Sequence, residues 1–203
     1  MNTELLGYSD SRTNTRKRIQ ILSAARSLFF EECVDQTTMY LIAERAGVTR
    51  RTVYNYYDSK EKIAVDLQIL AMEEMGFHDL WTDSCLNIGE EKLFTFARDL
   101  LVTHIDQMNF ISCFDFFFSE GYPDSRYIEY LTRKAGERKV ALGIPDSDPI
   151  EEHPVYGPAN FTLHLLTAYI QRLIQKTKGD LDFAAFEDEI RYFIRILVSY
   201  SRN

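Results

Sequence analysis

Apolar side chains recur at helical spacing along most of the 203 residues, and strand-like alternation is almost absent. The pattern predicts a first helix opening at Asn14 or Thr15 and running to about Glu32. Ile19, Leu22, Ala25 and Phe29 form one stripe of it, with Ile21 and Leu28 beside them. Thr38 caps a short helix through Leu41, Ile42 and Ala46, and Gly47 supplies the residue that accepts a positive φ at its end. Thr49 caps the next, whose apolar side is Val53 and Tyr57, and Ser59 caps a long one through Ile63, Val65, Leu67, Leu70 and Met75 towards Trp81. Further helices are predicted over about 91–107, 109–119, from Asp124 or Ser125 to Leu142, and over 156–177 and 182–201. Gly121-Tyr122-Pro123, the loop 143–154 and Lys178-Gly179-Asp180 separate them. The chain therefore reads as all-α. Its divisions are a mobile arm at 1–14, a small three-helix domain at 15–62 and a helical body at 63–203, with about nine helices expected.

The short helices carry the chemistry. Off the Val53–Tyr57 side, residues 50–57 present Arg50, Arg51, Thr52, Asn55 and Tyr56. These are donors and hydroxyls suited to phosphates and base edges, so the pair reads as a helix-turn-helix with residues 50–57 as the recognition helix. The match extends on both sides. RKRIQILSAARSLFFEE, then TTMYLIAERAGVTRRTVYNYY, then SKEKIAVDL together resemble the DNA-binding domain of the tetracycline-repressor (TetR) family of bacterial transcription regulators. The resemblance covers about residues 16–67.

Carried over position by position, the resemblance implies phosphate contacts from Thr38, Thr49, Thr52, Tyr56 and Lys60, which fix register without reading sequence. Arg50 and Arg51 are the candidate base readers, since an arginine takes O6 and N7 of guanine together, and Asn55 suits adenine. Arg51 stands where many members have a small residue. Tyr54 offers a ring to a core or a hydroxyl to the backbone, and the sequence does not choose. Arg16 and Lys17, with Arg18, form either a solvated cluster or a further phosphate contact. The family places a glycine after the first helix, where this chain has Cys33, so that corner is expected to end differently.

For the body the resemblance implies an effector pocket and a dimer interface built from the last two helices. Candidate pocket residues are Trp81, His104, Met108, Phe110, Phe114, Phe117, Tyr127 and Tyr169. Candidate interface residues are Phe161, Leu165, Tyr169, Leu173, Phe186, Ile190, Phe193 and Leu197, because both apolar faces are wider than one neighbour needs.

Charge at first argues against nucleic acid, because the net value is −8. Its distribution reverses that. Residues 1–62 hold ten Lys/Arg against eight Asp/Glu, net +2, and residues 63–203 hold thirteen against twenty-three, net −10. A basic head on an acidic body binds DNA locally and discourages association elsewhere. Three widely spaced cysteines give no disulfide framework and suit a reducing compartment. No segment reads as a signal peptide or a membrane span, so the expected location is the cytoplasm. His78, His104, His153 and His164 have no metal-ligand spacing. No nucleophile elbow or phosphate-binding glycine loop is present, so neither catalysis, a metal nor a cofactor is expected.

The expectation is a homodimeric repressor that binds a palindromic, double-stranded operator and is released by a small-molecule effector, without a membrane partner. An activator, an effector-independent regulator, or a protein that keeps this fold but acts through protein partners are the alternatives.

Overall fold

The computed structural model describes residues 6, 8, 12–86, 88–112, 125–149, 156–177 and 181–201, and all regular structure among them is helical. Ten α-helices follow one another there: α1 (Arg12–Gln36), α2 (Met39–Arg45), α3 (Arg50–Tyr54), α4 (Lys60–Glu74), α5 (Phe77–Leu86), α6 (Glu90–Arg98), α7 (Ile105–Ser112), α8 (Ser125–Leu142), α9 (Tyr156–Thr177) and α10 (Phe183–Ser201). The chain forms two units. The first takes residues 1–74 and 113–130, the second residues 75–112 and 131–203. The whole of α4 therefore packs with the first unit, although the pattern alone placed residues from 63 onward in the body.

In the first unit α1 packs on α2 and α4, and α2 packs on α3. Ile21, Leu22, Leu28 and Phe29 of α1 meet Ile42, Val53, Ile63, Leu67 and Leu70 in the core. Burying each such side chain contributes about 2 kcal/mol. Helix α4 is buried all round from Ile63 to Ala71, which makes it the central post of the unit. Ser59 caps it by accepting a 3.4 Å bond from the N–H of Lys62.

Two corners shape this unit. After Ala46, Gly47 takes φ +65°, its N–H bonds the Glu44 carbonyl, and the N–H of Val48 bonds that of Ala43. That double closure is the Schellman arrangement that glycine permits cheaply. The corner at Cys33 is different. Cys33 adopts φ 63°, ψ 165°, so the regular helix breaks there and only one further turn follows. A side chain thus sits in backbone geometry that is almost confined to glycine.

Near the start of the second unit Gly76 takes φ +59° and separates α5 from α4. The predicted run from Ser59 towards Trp81 is in fact two helices for this reason. Helix α6 continues into a widened π turn over Asp99–Thr103, closed by the His104 N–H on the Asp99 carbonyl, and α7 restarts at Ile105. The expected single helix over 91–107 is thereby cut at His104. Helix α9 packs on α5, α6, α7 and α10, and α10 packs also on α6. Leu93, Leu100, Met108, Leu163, Leu166, Ile170, Ile190 and Ile194 fill the core.

Candidate nucleic-acid interface

The recognition helix is capped at its N-terminus. Oγ1 of Thr49 accepts a 3.1 Å bond from the Thr52 N–H, and the two hydroxyls lie 2.8 Å apart. Thr38 does the same for α2, accepting from the Leu41 N–H at 3.3 Å. Val53 is the one side chain of α3 driven into the core, and Tyr57 follows it inward just beyond. That single anchor sets the rotation of the helix. Arg50, Arg51, Tyr54 and Asn55 are consequently exposed, and Thr52 and Tyr56 half-buried. Tyr54, left open by the sequence, has its ring in solvent. The Arg50 guanidinium lies 5.3 Å from the ring centroid of Tyr40, an exposed aromatic of α2 that the sequence reading passed over. Its signal was visible: a large ring off the stripe that buries Ile42 and Ala43.

Arg16 and Lys17 are exposed at the start of α1, as a phosphate-contacting or solvated cluster requires. Arg18 is neither. It is 5 % exposed, and its guanidinium lies 3.4 Å from the Tyr8 ring centroid and within 5.3 Å of that of Tyr57. Tyr8 and Leu6 lie in the segment expected to be a mobile arm, yet Leu6 is buried and Tyr8 half-buried. The Tyr56 hydroxyl donates to Oδ1 of Asn14 at 3.1 Å. Lys60 is placed otherwise than a phosphate contact would have it. Its Nζ donates to the carbonyls of Val34, Asp35 and Thr37 at 2.8, 2.9 and 3.0 Å, which occupies all three ammonium donors.

Beneath the reading face lies a polar group that the sequence reading did not single out. Asp66 of α4 is 0 % exposed. Its Oδ2 accepts hydrogen bonds from the hydroxyls of Tyr8 and Tyr57, each at 2.9 Å, and its Oδ1 lies 2.7 Å from Nη1 of Arg126. Burial, and then the Asp66 charge, push the Tyr57 hydroxyl well above the usual phenol range. A carboxylate inside IAVDLQILA was the available clue.

The remaining candidates divide. Trp81 is buried, donates from Nε1 to Oδ1 of Asn160 at 2.8 Å, and lies against Phe77, Phe96 and His164. Met108 and Phe110 are buried in the same unit and His104 is half-buried at the π turn. Tyr127 belongs to the first unit, where its hydroxyl meets Gln68 at 3.3 Å and Met72. Tyr169 stacks on Phe193 and bonds Glu189 at 2.8 Å, so it is engaged with α10. Phe114 and Phe117 lie outside the described residues. Of the candidate interface residues, Leu173, Ile190 and Leu197 are buried within the protomer's own core and are unavailable to a partner. Phe161 and Leu165 face outward at 64 % and 40 % exposure, and Phe186 and Phe193 are half-buried. Tyr192 and Ile196, at 66 % and 36 %, join the outward set although the sequence reading omitted them.

Residues 21–67 match the sequence model of the bacterial regulatory proteins of the tetR family. The whole fold is similar to solved structures at low identity. A TetR-family regulator from Mesorhizobium loti superposes with TM-score 0.53 at 19 % identity, over 94 % of this chain and 98 % of its own. A regulator of the TerR/AcrR family from Aquifex aeolicus gives 0.54 at 18 %, over 89 % and 99 %. The TetR-family repressor FadR of Thermus thermophilus, solved in complex with lauroyl-CoA, gives 0.53 at 21 %, over 89 % and 93 %. Comparison with curated proteins by sequence gives no match. Among the described residues no helix is long and apolar enough to cross a membrane.

Proposed function

On the premise that the chain carries a tetR-family DNA-binding domain within the fold of that family's transcriptional regulators, we propose that it acts as a homodimeric repressor of a palindromic operator. One observation carries this reading. A single buried anchor, Val53, turns Arg50, Arg51, Tyr54 and Asn55 together into solvent at the mouth of a capped helix. Arg50 and Arg51 are then the base readers, Asn55 a third, and Thr38, Thr49 and Thr52 the phosphate-side hydroxyls. The cap hydroxyls retain acceptor capacity after their bonds within the protein. Two copies related by a two-fold axis would place their recognition helices in major grooves about 34 Å apart, which demands a palindrome. The outward stripes of α9 and α10, with Phe161, Leu165, Tyr192 and Ile196, are the surface for that pairing.

Release of DNA follows if a small molecule binds the second unit and favours an arrangement of α4 in which the two heads no longer match successive grooves. The ligand drives this only through its different affinity for the two arrangements. The similar FadR of Thermus thermophilus was solved with lauroyl-CoA, which makes acyl-CoA the first class to test. The reading as a whole is tested by selecting bound duplexes from a random pool at near-physiological salt. Recovery of a palindrome is expected. A folded, dimeric protein that enriches nothing would overturn it, and so would an Arg50→Ala, Arg51→Ala double variant with undiminished preference.

A further inference from the structure

Asp66 gathers three groups from three parts of the chain, Tyr8 before α1, Tyr57 just after α3 and Arg126 at the start of α8, and Arg18 of α1 stacks over Tyr8. Arg126 adds its own ties. It donates to the Tyr8 hydroxyl and, at 3.0 Å, to the Leu6 carbonyl, and its guanidinium lies 4.3 Å from the Tyr8 ring centroid. A carboxylate with no solvent contact is stable as an ion only while such partners remain.

The position of these groups gives them a role beyond stability. The Tyr57 N–H bonds the Val53 carbonyl at 2.9 Å, so Tyr57 is joined through the backbone to the residue that anchors the recognition helix. Its hydroxyl is held by Asp66, and Asp66 is held by Arg126. Arg126 stands in the first turn of α8, a helix that begins in the first unit and continues past Tyr130 into the second. A shift of the start of α8 would therefore pull on one buried carboxylate and, through it, on the end of the recognition helix.

We propose that Arg126, far outside the family-matched segment, is a positioning residue for DNA reading, acting through Asp66 and Tyr57 on the orientation of α3. The assignment rests on the DNA-binding reading above and adds the residue through which α8 governs it. Arg126 needs no contact with DNA. Its removal should blur the discrimination between sequences and leave the number of phosphates neutralised unchanged.

The test uses the full chain, the duplex recovered by selection, and a random duplex of the same length, with affinities measured across a salt series. Arg126→Met is expected to lower the ratio of specific to random affinity about tenfold, within the range that mutations remote from a ligand exert. The salt slope should stay at the wild-type value, and Arg126→Lys should restore part of the ratio. An unchanged ratio in Arg126→Met overturns the proposal. A slope reduced by about one unit also overturns it, because Arg126 would then be a phosphate contact. Should Arg126→Met fail to fold, Tyr8→Phe removes one hydroxyl from Asp66 and keeps the ion pair. A drop in the ratio of about threefold is then expected, and no change overturns the assignment. A wild-type protein without sequence preference would instead sink the regulator reading itself, which the wild-type ratio reports separately.

Discussion

Replacing Lys60 by methionine removes the ammonium and keeps most of the apolar stem. In the structure that ammonium closes the corner after Cys33, donating to the carbonyls of Val34, Asp35 and Thr37 at 2.8–3.0 Å. Such carbonyls are what a helix C-terminus leaves without partners, and a cation there also meets the negative end of the helix dipole. The corner has a further side-chain tie, the Thr37 hydroxyl donating to the Cys33 carbonyl at 2.9 Å. A hydrogen bond to a charged donor contributes roughly 1.5–3 kcal/mol when shielded, but the Asp35 acceptor is exposed and regains water. The net loss should be about 2–3 kcal/mol, lowering Tm by roughly 4–12 °C for a chain of this length. Thermal unfolding and DNA affinity across a salt series would be measured on the same variant. A lowered Tm with an unchanged salt slope is expected. A normal Tm with the slope reduced by about 0.9 would refute the reasoning, because Lys60 would then be neutralising a phosphate.

Cys33→Gly relieves a backbone conformation that costs about 1–3 kcal/mol and adds back some chain entropy, so a rise in Tm of roughly 2–4 °C is expected by calorimetry. No rise would mean that the corner is not strained. Ile196→Glu together with Leu165→Glu places charges on outward positions, so the helices should keep their circular dichroism while sedimentation reports a monomer. A dimer of wild-type affinity would move the interface elsewhere. Tyr57 has its hydroxyl pushed above the ordinary phenol value of about 10 by burial and then by Asp66. Above that pH the unfolded chain loses its proton first, so this residue's stability is present below pH ~10 and falls by up to ~1.4 kcal/mol per unit above it. Denaturant titrations at pH 10 and 11 should show a smaller decline in Tyr57→Phe than in the wild type, and equal declines would remove the assignment.

What the sequence made legible was set within a few residues of itself. Thr38, Thr49, Ser59 and Gly47 act on backbone groups at most four positions away, and each does in the structure what its type implied. Lys60 and Asp66 answer to partners distant in the chain, and no local pattern distinguishes a lysine that meets phosphate from one that closes a helix end. Cys33 lies between these cases. The missing glycine was plain, but the chain keeps glycine geometry there because Lys60 and Thr37 hold the corner closed.

The last helix shows the same limit in another form. Its apolar residues exceed one stripe, and the sequence reading could not divide them. At about 100° per residue, Ile190, Ile194, Leu197 and Val198 fall on one side and are buried, while Tyr192 lies about 200° round from Ile190, with Ile196 one turn further along. The first set closes the protomer. The second set, with Phe161 and Leu165 of α9, is not used by it. An apolar stripe opposite a completed core costs solubility unless something covers it, and a second copy brings the same stripe and the second half-site reader at once. That is why the dimer is proposed on this face and not on the broader set that periodicity alone suggested.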